Sequence, residues 1–442
     1  MLSEAFLRPL RQYRQNDFDM KARLGTLDSS RFVLWSGHIF SAVFQFLQVV
    51  AITRVAGLEA MGIYVAVMTV TNILVRMLDF GLPSAILFFI RKDSENARAV
   101  AQSALLHVLA TIPCMLTAAF LLRYFPFEAA AISETAARSI LVITVVLILQ
   151  LGNGLSVNLV LGLKMYATMA MANILPPLIM CVILLAASWR GGQVGAADLF
   201  EITAVSNFVP FAFIAAIVAV RIKGAAGSQR VAGKTLYQYG VKTMLGVAAN
   251  VVSQRLDRLV LSTSISPSAL SQYAVATTIR DGLLLPFNAY SLSFMNDLMD
   301  LQKSGRSMLA RTKRVSFAWF MSSSIMAGVA AGLMPMIIPA LFGGEFRSSV
   351  PIVQIVLFSA GFQCVTALYY TYFLAEGRPF TTSWLAVWSA LVTGLALVVL
   401  VPAWGLTGAG IAIVASAAIS AASCVAIAEL LERGLQKRVA IS

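Results

Sequence analysis

Long apolar segments follow one another along the chain and are separated by short polar loops. Each is close to the roughly 20 residues that a helix needs to cross the hydrocarbon of a bilayer. Stretches such as Ile140–Gln150 and Ile411–Ala422 are apolar on every side, whereas the strands of a membrane barrel alternate in polarity. The pattern predicts a helical bundle with spans near 32–53, 62–90, 99–122, 138–162, 167–189, 198–221, 238–262, 270–296, 314–342, 350–374, 381–401 and 405–430.

The composition supports a membrane location. Hydrophobic residues make up 59% of the chain and charged residues 12%, against about 45–50% and about 25% in soluble domains. A soluble fold of this length has too little interior to bury so much apolar surface, so lipid must solvate much of it. We therefore expect an all-α, polytopic membrane protein of about twelve transmembrane helices.

The formal net charge of +13 is distributed unevenly between the predicted loops. Lys and Arg concentrate in the N-terminal arm, in the loops after spans 2, 6 and 8, and in the tail. The opposite side carries at most Arg54, Arg123, Arg138, Arg190 and Arg347. The positive-inside rule then predicts that both termini are cytoplasmic. The basic loops face anionic membrane lipids, so the high charge does not indicate binding to nucleic acid.

Short motifs recur at nearly constant spacing in the two halves of the chain. Gly62-Ile-Tyr64 opens span 2 and Ser271-Gln-Tyr273 opens span 8, while Val194-Gly195 and Thr407-Gly408 follow spans 5 and 11. Six spans per half give both units the same orientation, which predicts parallel repeats with a substrate site between them; two unrelated bundles with chance matches are the alternative. The predicted units are a basic arm at 1–31, a first lobe at 32–222, a basic linker at 223–236, a second lobe at 237–430 and a tail at 431–442.

Ionisable and polar residues at membrane depth cluster in spans 1, 2, 7 and 8. Such residues are costly in lipid and usually face a bundle interior or a water-filled cavity. At 100° per residue they form polar arcs on these helices, which predicts a polar cleft between the lobes. The predicted cleft residues are His38 and Gln45 in span 1, Asn72, Arg76 and Asp79 in span 2, Lys242, Asn250, Gln254, Arg255, Asp257 and Arg258 in span 7, and Tyr273, Arg280, Asp281 and Asn288 in span 8.

Some of these residues also have a purely structural interpretation. Arg76 and Asp79 are i, i+3 neighbours and can pair only to orient their helix. Arg255 and Arg258 lie toward one end of span 7, from which long side chains can snorkel to the interface. His38 can serve as an ordinary hydrogen-bond partner, although its imidazole titrates near physiological pH.

No catalytic or metal-binding apparatus stands out. The two histidines and four dispersed cysteines do not form a ligand set, and no exposed nucleophile lies beside a base. We therefore predict neither a catalytic residue, nor a metal, nor a cofactor, and we expect a protein that is not an enzyme.

Several motifs, in order along essentially the whole chain, resemble the multidrug/oligosaccharidyl-lipid/polysaccharide (MOP) exporter superfamily, and within it the Wzx-type polysaccharide flippases. They run from Gly62-Ile-Tyr64 through Leu78-Asp79-Phe-Gly-Leu-Pro83 to Gln254-Arg-Leu-Asp257-Arg258, and include Leu341-Phe-Gly-Gly-Glu345-Phe346. The resemblance implies a V-shaped pair of lobes that open alternately to the two sides. It also implies a bacterial inner-membrane transporter that moves oligosaccharides linked to undecaprenyl pyrophosphate.

The resemblance also suggests roles for the cleft residues. A pyrophosphate is anionic, and Arg76, Lys242, Arg255, Arg258 and Arg280 are the candidates to hold it, the arginines by bidentate contacts. Asp79, Asp257 and Asp281 are the candidates for coupling to a proton or sodium ion. A polysaccharide polymerase and a chain-length regulator are the protein partners that this role suggests.

Two other branches of the superfamily stay open. The lipid II flippase branch has a similar plan but fourteen helices, whereas only twelve fit in this chain. The drug antiporter branch also has twelve helices, but its buried carboxylates suit cationic drugs and the central excess here is basic.

Overall fold

The computed structural model describes residues 4–92, 96–222, 233–303 and 307–441. Every regular element in these ranges is helical. The helices of the first half are α1 (Glu4–Leu78), α2 (Leu82–Lys92), α3 (Ala97–Leu121), α4 (Ala130–Arg138), α5 (Ile140–Gly162), α6 (Tyr166–Trp189) and α7 (Ala196–Ile222). Those of the second half are α8 (Gly233–Ser262), α9 (Pro267–Lys303), α10 (Met308–Phe342), α11 (Val350–Leu357), α12 (Ser359–Ala375) and α13 (Pro379–Ile441). Two short 3₁₀ turns, Leu122–Tyr124 and Gly344–Ser349, precede α4 and α11.

These helices confirm a polytopic, all-α membrane protein. Eight helical stretches of the described residues are long and apolar enough to cross a membrane. The stretches in α1 and α13 each contain one non-helical residue, Gly57 at φ 78° and Gly405 at φ 56°, so each accounts for two of the predicted spans. Glycine suits both positions because it has no Cβ to clash at positive φ. Helices α8 and α9 cover predicted spans 7 and 8, where the polar residues concentrate.

The prediction of a single continuous helix over 62–90 is wrong. Helix α1 ends at Leu78 and α2 begins at Leu82, and the residues between them include Phe80 at φ 48° and Gly81 at φ 69°. The Asp79 side chain accepts a hydrogen bond from the backbone N–H of Gly81 at 2.8 Å. An aspartate that bonds the backbone two residues on favours a turn over a helix. The hydrophobic pattern is continuous through the turn, so the apolar run alone did not indicate it.

The helices pack within each half, and the polar spans 1, 2, 7 and 8 lie where the two halves meet. In the first half α1 packs on α6, and α5 packs on α3 and α7; in the second, α12 packs on α10, α9 and α13, and α8 packs on α13. The halves meet where α1 contacts α8 and α9 and where α2 contacts α8. The domain limits given above stay a prediction, and most of the linker lies outside the described residues.

The two halves are in close contact at the ends that we predict to be extracytoplasmic. Arg54 of α1 donates from Nε to the carbonyl of Leu341 at 2.8 Å and also contacts the carbonyl of Ala340, at the end of α10. The backbone N–H of Glu128 donates to the carbonyl of Ser262 at 3.1 Å. A Cβ added to Gly62 would lie 1.8 Å from the carbonyl oxygen of Pro267, so only glycine permits this approach. These contacts join the two halves on this side.

Candidate functional site

A cavity of about 660 Å³ lies between the halves. Its wall is formed by α1, α5, α6 and α7 of the first half and by α8 and α9 of the second. Spans 1, 2, 7 and 8, which the polar arcs pointed to, all contribute. Spans 4, 5 and 6, which are α5, α6 and α7, contribute as well. We had not expected them at the cavity, because they carry no arc of ionisable residues.

The cavity wall carries more positive than negative charge among the described residues. Arg76 of α1 and Arg255 and Arg258 of α8 line it, and Asp281 of α9 is the acidic residue on the wall. Gln45 and Asn72, which are among the predicted cleft residues, also line this cavity. The side chains of the remaining predicted residues His38, Lys242, Asn250, Gln254 and Asn288 lie outside the described part of the chain.

Arg76 and Asp79 form an uneven pair. The Arg76 side chain is 45% exposed and lines the cavity, whereas that of Asp79 is 3% exposed, inside the turn between α1 and α2. Their closest atoms, Nη1 and Oδ2, are 3.6 Å apart, which is beyond the range of a good hydrogen bond. Asp79 therefore stabilises the turn, and the Arg76 guanidinium retains hydrogen-bonding capacity on the cavity side.

Asp257 and Tyr273 hold α8 against α9. Asp257 Oδ2 accepts a hydrogen bond of 2.6 Å from the Tyr273 hydroxyl, and Oδ1 accepts one of 2.7 Å from the backbone N–H of Arg258. Both residues are buried. We predicted both as cleft residues, but neither is among the described residues of the cavity wall. Because Asp257 does not bind the Arg258 guanidinium, that group donates instead to the Thr277 hydroxyl at 2.8 Å and lines the cavity.

We predicted both Arg280 and Asp281 as cleft residues, and of the two the described wall includes Asp281. Arg280 is 12% exposed and donates from Nε and Nη2 to the same oxygen of Asp281, at 3.0 and 2.7 Å. Asp281 is 57% exposed and lies on the cavity wall. The guanidinium of Arg280 is thus neutralised behind the wall, which leaves Arg76, Arg255 and Arg258 as the described cations of the cavity.

Uncharged polar side chains form the part of the wall that the sequence did not indicate. Gln150 and Asn153 lie one turn apart on α5, and Ser206 and Asn207 are adjacent on α7. Asn153 Nδ2 donates to the backbone carbonyl of Asn207 at 3.1 Å. Gln150 Oε1, Asn153 Oδ1 and Ser206 Oγ are buried and have no hydrogen-bond partner among the described residues. Each buried polar group left unpaired costs about 1–3 kcal/mol.

The signal for these residues was their spacing in very apolar helices. Gln150 and Asn153 lie on one face of α5 and are polar, whereas the run Ile140–Leu151 is otherwise very apolar. An amide in lipid is unfavourable unless it faces a hydrogen-bond partner. Asn158 and Asn173 also line the cavity. Uncharged amides in apolar helices therefore indicate the cavity wall as well as ionisable residues do.

His107 joins the turn in the first half to α8 of the second. This buried residue of α3 bonds through Nε2 to the carbonyl of Leu78 at 2.9 Å and through Nδ1 to the Tyr237 hydroxyl at 2.8 Å. The carbonyl can only accept, so Nε2 carries a proton. In the neutral imidazole Nδ1 then accepts from Tyr237. Among the described residues, no group of three His, Cys, Asp or Glu side chains is placed to bind a metal ion.

Comparison with solved structures identifies the fold. An inward-facing multidrug resistance transporter of the MATE family in the MOP superfamily superposes with a TM-score of 0.73 at 14% identity, over 90% of this chain and 96% of that chain. The lipid II flippase MurJ in an inward closed conformation gives 0.72 at 12% identity, over 90% and 87%. A MOP superfamily transporter from Pyrococcus furiosus gives 0.62 at 14%, over 92% and 96%.

Sequence comparison identifies the family. No match is found among the curated proteins. The profile of the family described as polysaccharide biosynthesis protein matches residues 29–292, which is more than half of the chain and includes all the described residues of the cavity wall. The chain belongs to the polysaccharide biosynthesis protein family and has the fold of the MOP superfamily transporters.

Proposed function

We propose that the protein flips oligosaccharide repeat units linked to undecaprenyl pyrophosphate across the bacterial inner membrane by alternating access. The observation that carries this proposal is the basic cavity between two halves of a polysaccharide-family membrane protein. Both termini would be cytoplasmic, and the cavity would load from the cytoplasmic side. The prenyl chain would stay in the bilayer while the head group crosses through the cavity.

The charge of the cavity suits a pyrophosphate. Arg255 and Arg258 form no ion pair within the described residues, so their guanidinium groups can bind an anion without first breaking one. Arginine offers a planar set of N–H donors that matches phosphate oxygens in pairs. In a wall of low dielectric constant these contacts are stronger than in water. Lys242, whose side chain is outside the described part, would add to the same site.

A basic wall also discriminates between candidate cargoes. A cationic drug would be repelled by Arg76, Arg255 and Arg258, with Asp281 as the one described acid of the wall to attract it. Lipid II carries a pyrophosphate too, and the fold matches the lipid II flippase over 87% of that chain. A lipid II flippase is therefore the second candidate, and the saccharide portion of the cargo distinguishes the two.

Return of the empty transporter needs an energy source. The three candidate aspartates differ in how accessible they are to a coupling proton or ion. Asp79 and Asp257 are buried and bonded to their own backbone. Asp281 lies at the cavity, where an ion or a proton can reach it. We propose Asp281 as the first of the three to test. The basic loops would bind anionic lipids of the cytoplasmic leaflet, and a polymerase and a chain-length regulator would act on the product.

A flipping assay tests the proposal. Purified protein is reconstituted in liposomes with a fluorescent undecaprenyl-pyrophosphate oligosaccharide, and a membrane-impermeant quencher reports how much lipid has crossed. We expect flipping by the wild-type protein and at least a tenfold slower rate for Arg255→Gln or Arg258→Gln, because each loses a charged donor set worth about 1.4 kcal/mol or more.

The control removes an arginine elsewhere. Arg123→Gln changes an exposed residue near the outer surface, where it stacks on Tyr124, and should flip like the wild type. Equal rates for all four proteins would reject the cavity as the anion site. Faster flipping of lipid II than of the oligosaccharide lipid would favour the second candidate.

A further inference from the structure

Arg76 of α1 aside, the cations and the uncharged amides of the cavity wall lie on different helices. Arg255 and Arg258 belong to α8 in the second half, whereas Gln150 and Asn153 belong to α5 and Ser206 and Asn207 to α7 in the first half. We call the last four residues the amide pocket. None of its members is ionisable, and three of them hold a buried polar atom with no partner among the described residues.

The orientation of the Asn153 side-chain amide shows which kind of hydrogen-bonding group the amide pocket lacks. Its contact of 3.1 Å is with the backbone carbonyl of Asn207, and because a carbonyl only accepts, the Asn153 NH₂ group must occupy that position. Among the described residues, the Oδ1 atom of Asn153 then remains an acceptor without a donor, and Gln150 Oε1 has no partner either. The pocket therefore needs a ligand group that donates hydrogen bonds.

A pyrophosphate cannot meet that need. Its ionised oxygens accept hydrogen bonds but have none to donate, so they fit the arginines of α8 rather than the oxygens of α5. A sugar hydroxyl both donates and accepts. It can donate to Gln150 Oε1 or Asn153 Oδ1 and accept from the hydroxyl of Ser206 at the same site.

We infer that the amide pocket binds the hydroxyl groups of uncharged sugars in the cargo while the arginines of α8 bind its pyrophosphate. The inference rests on the proposed function and adds to it the location and chemical class of the sugar site. The amide pocket and these arginines then hold one lipid-linked oligosaccharide at two separate points, one on each half of the protein. Recognition of sugars would reside in α5 and α7, and affinity for the anion in α8.

Binding of two different lipids distinguishes the sugar site from the pyrophosphate site. We propose to measure binding of undecaprenyl pyrophosphate and of undecaprenyl pyrophosphate bearing an uncharged disaccharide to the full-length protein in nanodiscs, by native mass spectrometry. The variants are Gln150→Met and Ser206→Ala, which remove one polar group each with little change of volume. The matched control is Gln102→Met, the same change at an exposed residue of α3 outside the cavity.

Wild-type protein should bind the disaccharide lipid more tightly than the bare lipid. Gln150→Met should weaken binding of the disaccharide lipid about tenfold, equivalent to about 1.4 kcal/mol, and leave binding of the bare lipid unchanged. Arg255→Gln should weaken both. Sites that hydrogen-bond a ligand hydroxyl discriminate strongly because their polar groups are left unpaired without it.

Thermal unfolding distinguishes this role from a structural one. Gln150→Met and Ser206→Ala both remove a buried atom that has no described partner, so the variants should unfold at the same temperature as the wild type or higher. A purely structural role would lower that temperature and leave lipid selectivity unchanged. Equal binding of the disaccharide lipid by wild type, Gln150→Met and Ser206→Ala would overturn the inference. Wild-type protein that binds neither lipid would instead refute the proposed function, and the sugar site with it.

Discussion

Arg54 joins the two halves at the ends that we predict to be extracytoplasmic, and its removal should separate them there. The residue lies on α1 in the first half and bonds to the carbonyls of Leu341 and Ala340 at the end of α10 in the second. These carbonyls lack partners within their helix and form its negative end, so a guanidinium is well suited to them. Arg54→Ala removes both bonds and leaves the rest of the outer contact in place.

The size of the effect follows from the two bonds. A hydrogen bond to a charged group contributes about 1.5–3 kcal/mol, but the Arg54 side chain is exposed, so about 1 kcal/mol each is appropriate. A loss of about 2 kcal/mol from the closed form changes its ratio to the open form about 30-fold. A protein that is 99:1 in favour of the closed form would then be about 3:1.

Distances between spin labels measure this ratio directly. Positions 190 and 347 are exposed and lie on opposite halves, at the ends that we predict to be extracytoplasmic. Cysteines there report the opening after the four native cysteines have been replaced. Arg54→Ala should add a population at longer distance that contains about a quarter of the molecules. The control is Arg138→Ala, because Arg138 pairs with Glu134 inside α4 and does not cross between the halves. Identical distance distributions for Arg54→Ala and the wild type would refute the argument.

Three further changes test other contacts. Tyr273→Phe removes the donor to the buried Asp257 carboxylate, so the free energy of unfolding in detergent should fall by about 1–3 kcal/mol. Gly62→Ala places a methyl group against the carbonyl of Pro267, so the longer spin-label distance should be populated as in Arg54→Ala. His107→Leu breaks both hydrogen bonds between α3, the turn and α8, and amide hydrogen exchange in the turn should accelerate about tenfold, since about 1.4 kcal/mol is lost.

Each of these changes has a matched control. Tyr124→Phe alters an exposed tyrosine and should not affect stability. Gly328→Ala adds a methyl group on α10 where no atom of the described residues lies within 4 Å, so the label distances should not change. Tyr237→Phe should accelerate exchange in the turn less than His107→Leu because it removes one of the two bonds, and the double variant should resemble His107→Leu alone. If a control variant changed the measured quantity as much as its test variant did, the named contact would not be responsible for the effect.

The sequence allowed most of the fold to be predicted, because lipid imposes a single strong requirement. Every backbone polar group in the hydrocarbon must be bonded within the chain, so long apolar runs can only be helices. The turn at Asp79–Gly81 was missed since a buried turn needs only local hydrogen bonds, here from Asp79 to Gly81, and these do not interrupt the hydrophobic pattern. An aspartate followed by Phe-Gly-Leu-Pro83 was the available signal.

The site was predicted only in part. Ionisable residues indicated the helices that enclose the cavity, because a charge in lipid is too costly to be placed without a reason. They did not indicate which of two adjacent ionisable residues faces it. Arg280 and Asp281 differ by about 100° on the helix, and in the structure the acid lies on the cavity wall while the base is 12% exposed behind it. Tyr273 was expected on the wall and is instead bonded to Asp257.

The distribution of charge between the halves bears on how cargo could drive the cycle. Arg76 lies in the first half and Arg255 and Arg258 in the second, and all three line one cavity. Like charges that share a cavity repel each other, so without cargo they oppose any approach of the two halves around it. A bound pyrophosphate reverses the sign of that interaction, because the same three groups would then be attracted to one anion between them. In the proposed function the cargo itself therefore supplies the attraction that closes the cavity, and the empty cavity has no such attraction. Neutralising Arg76 alone would weaken this effect while leaving both arginines of α8 to bind the lipid, which separates binding from flipping in the two assays above.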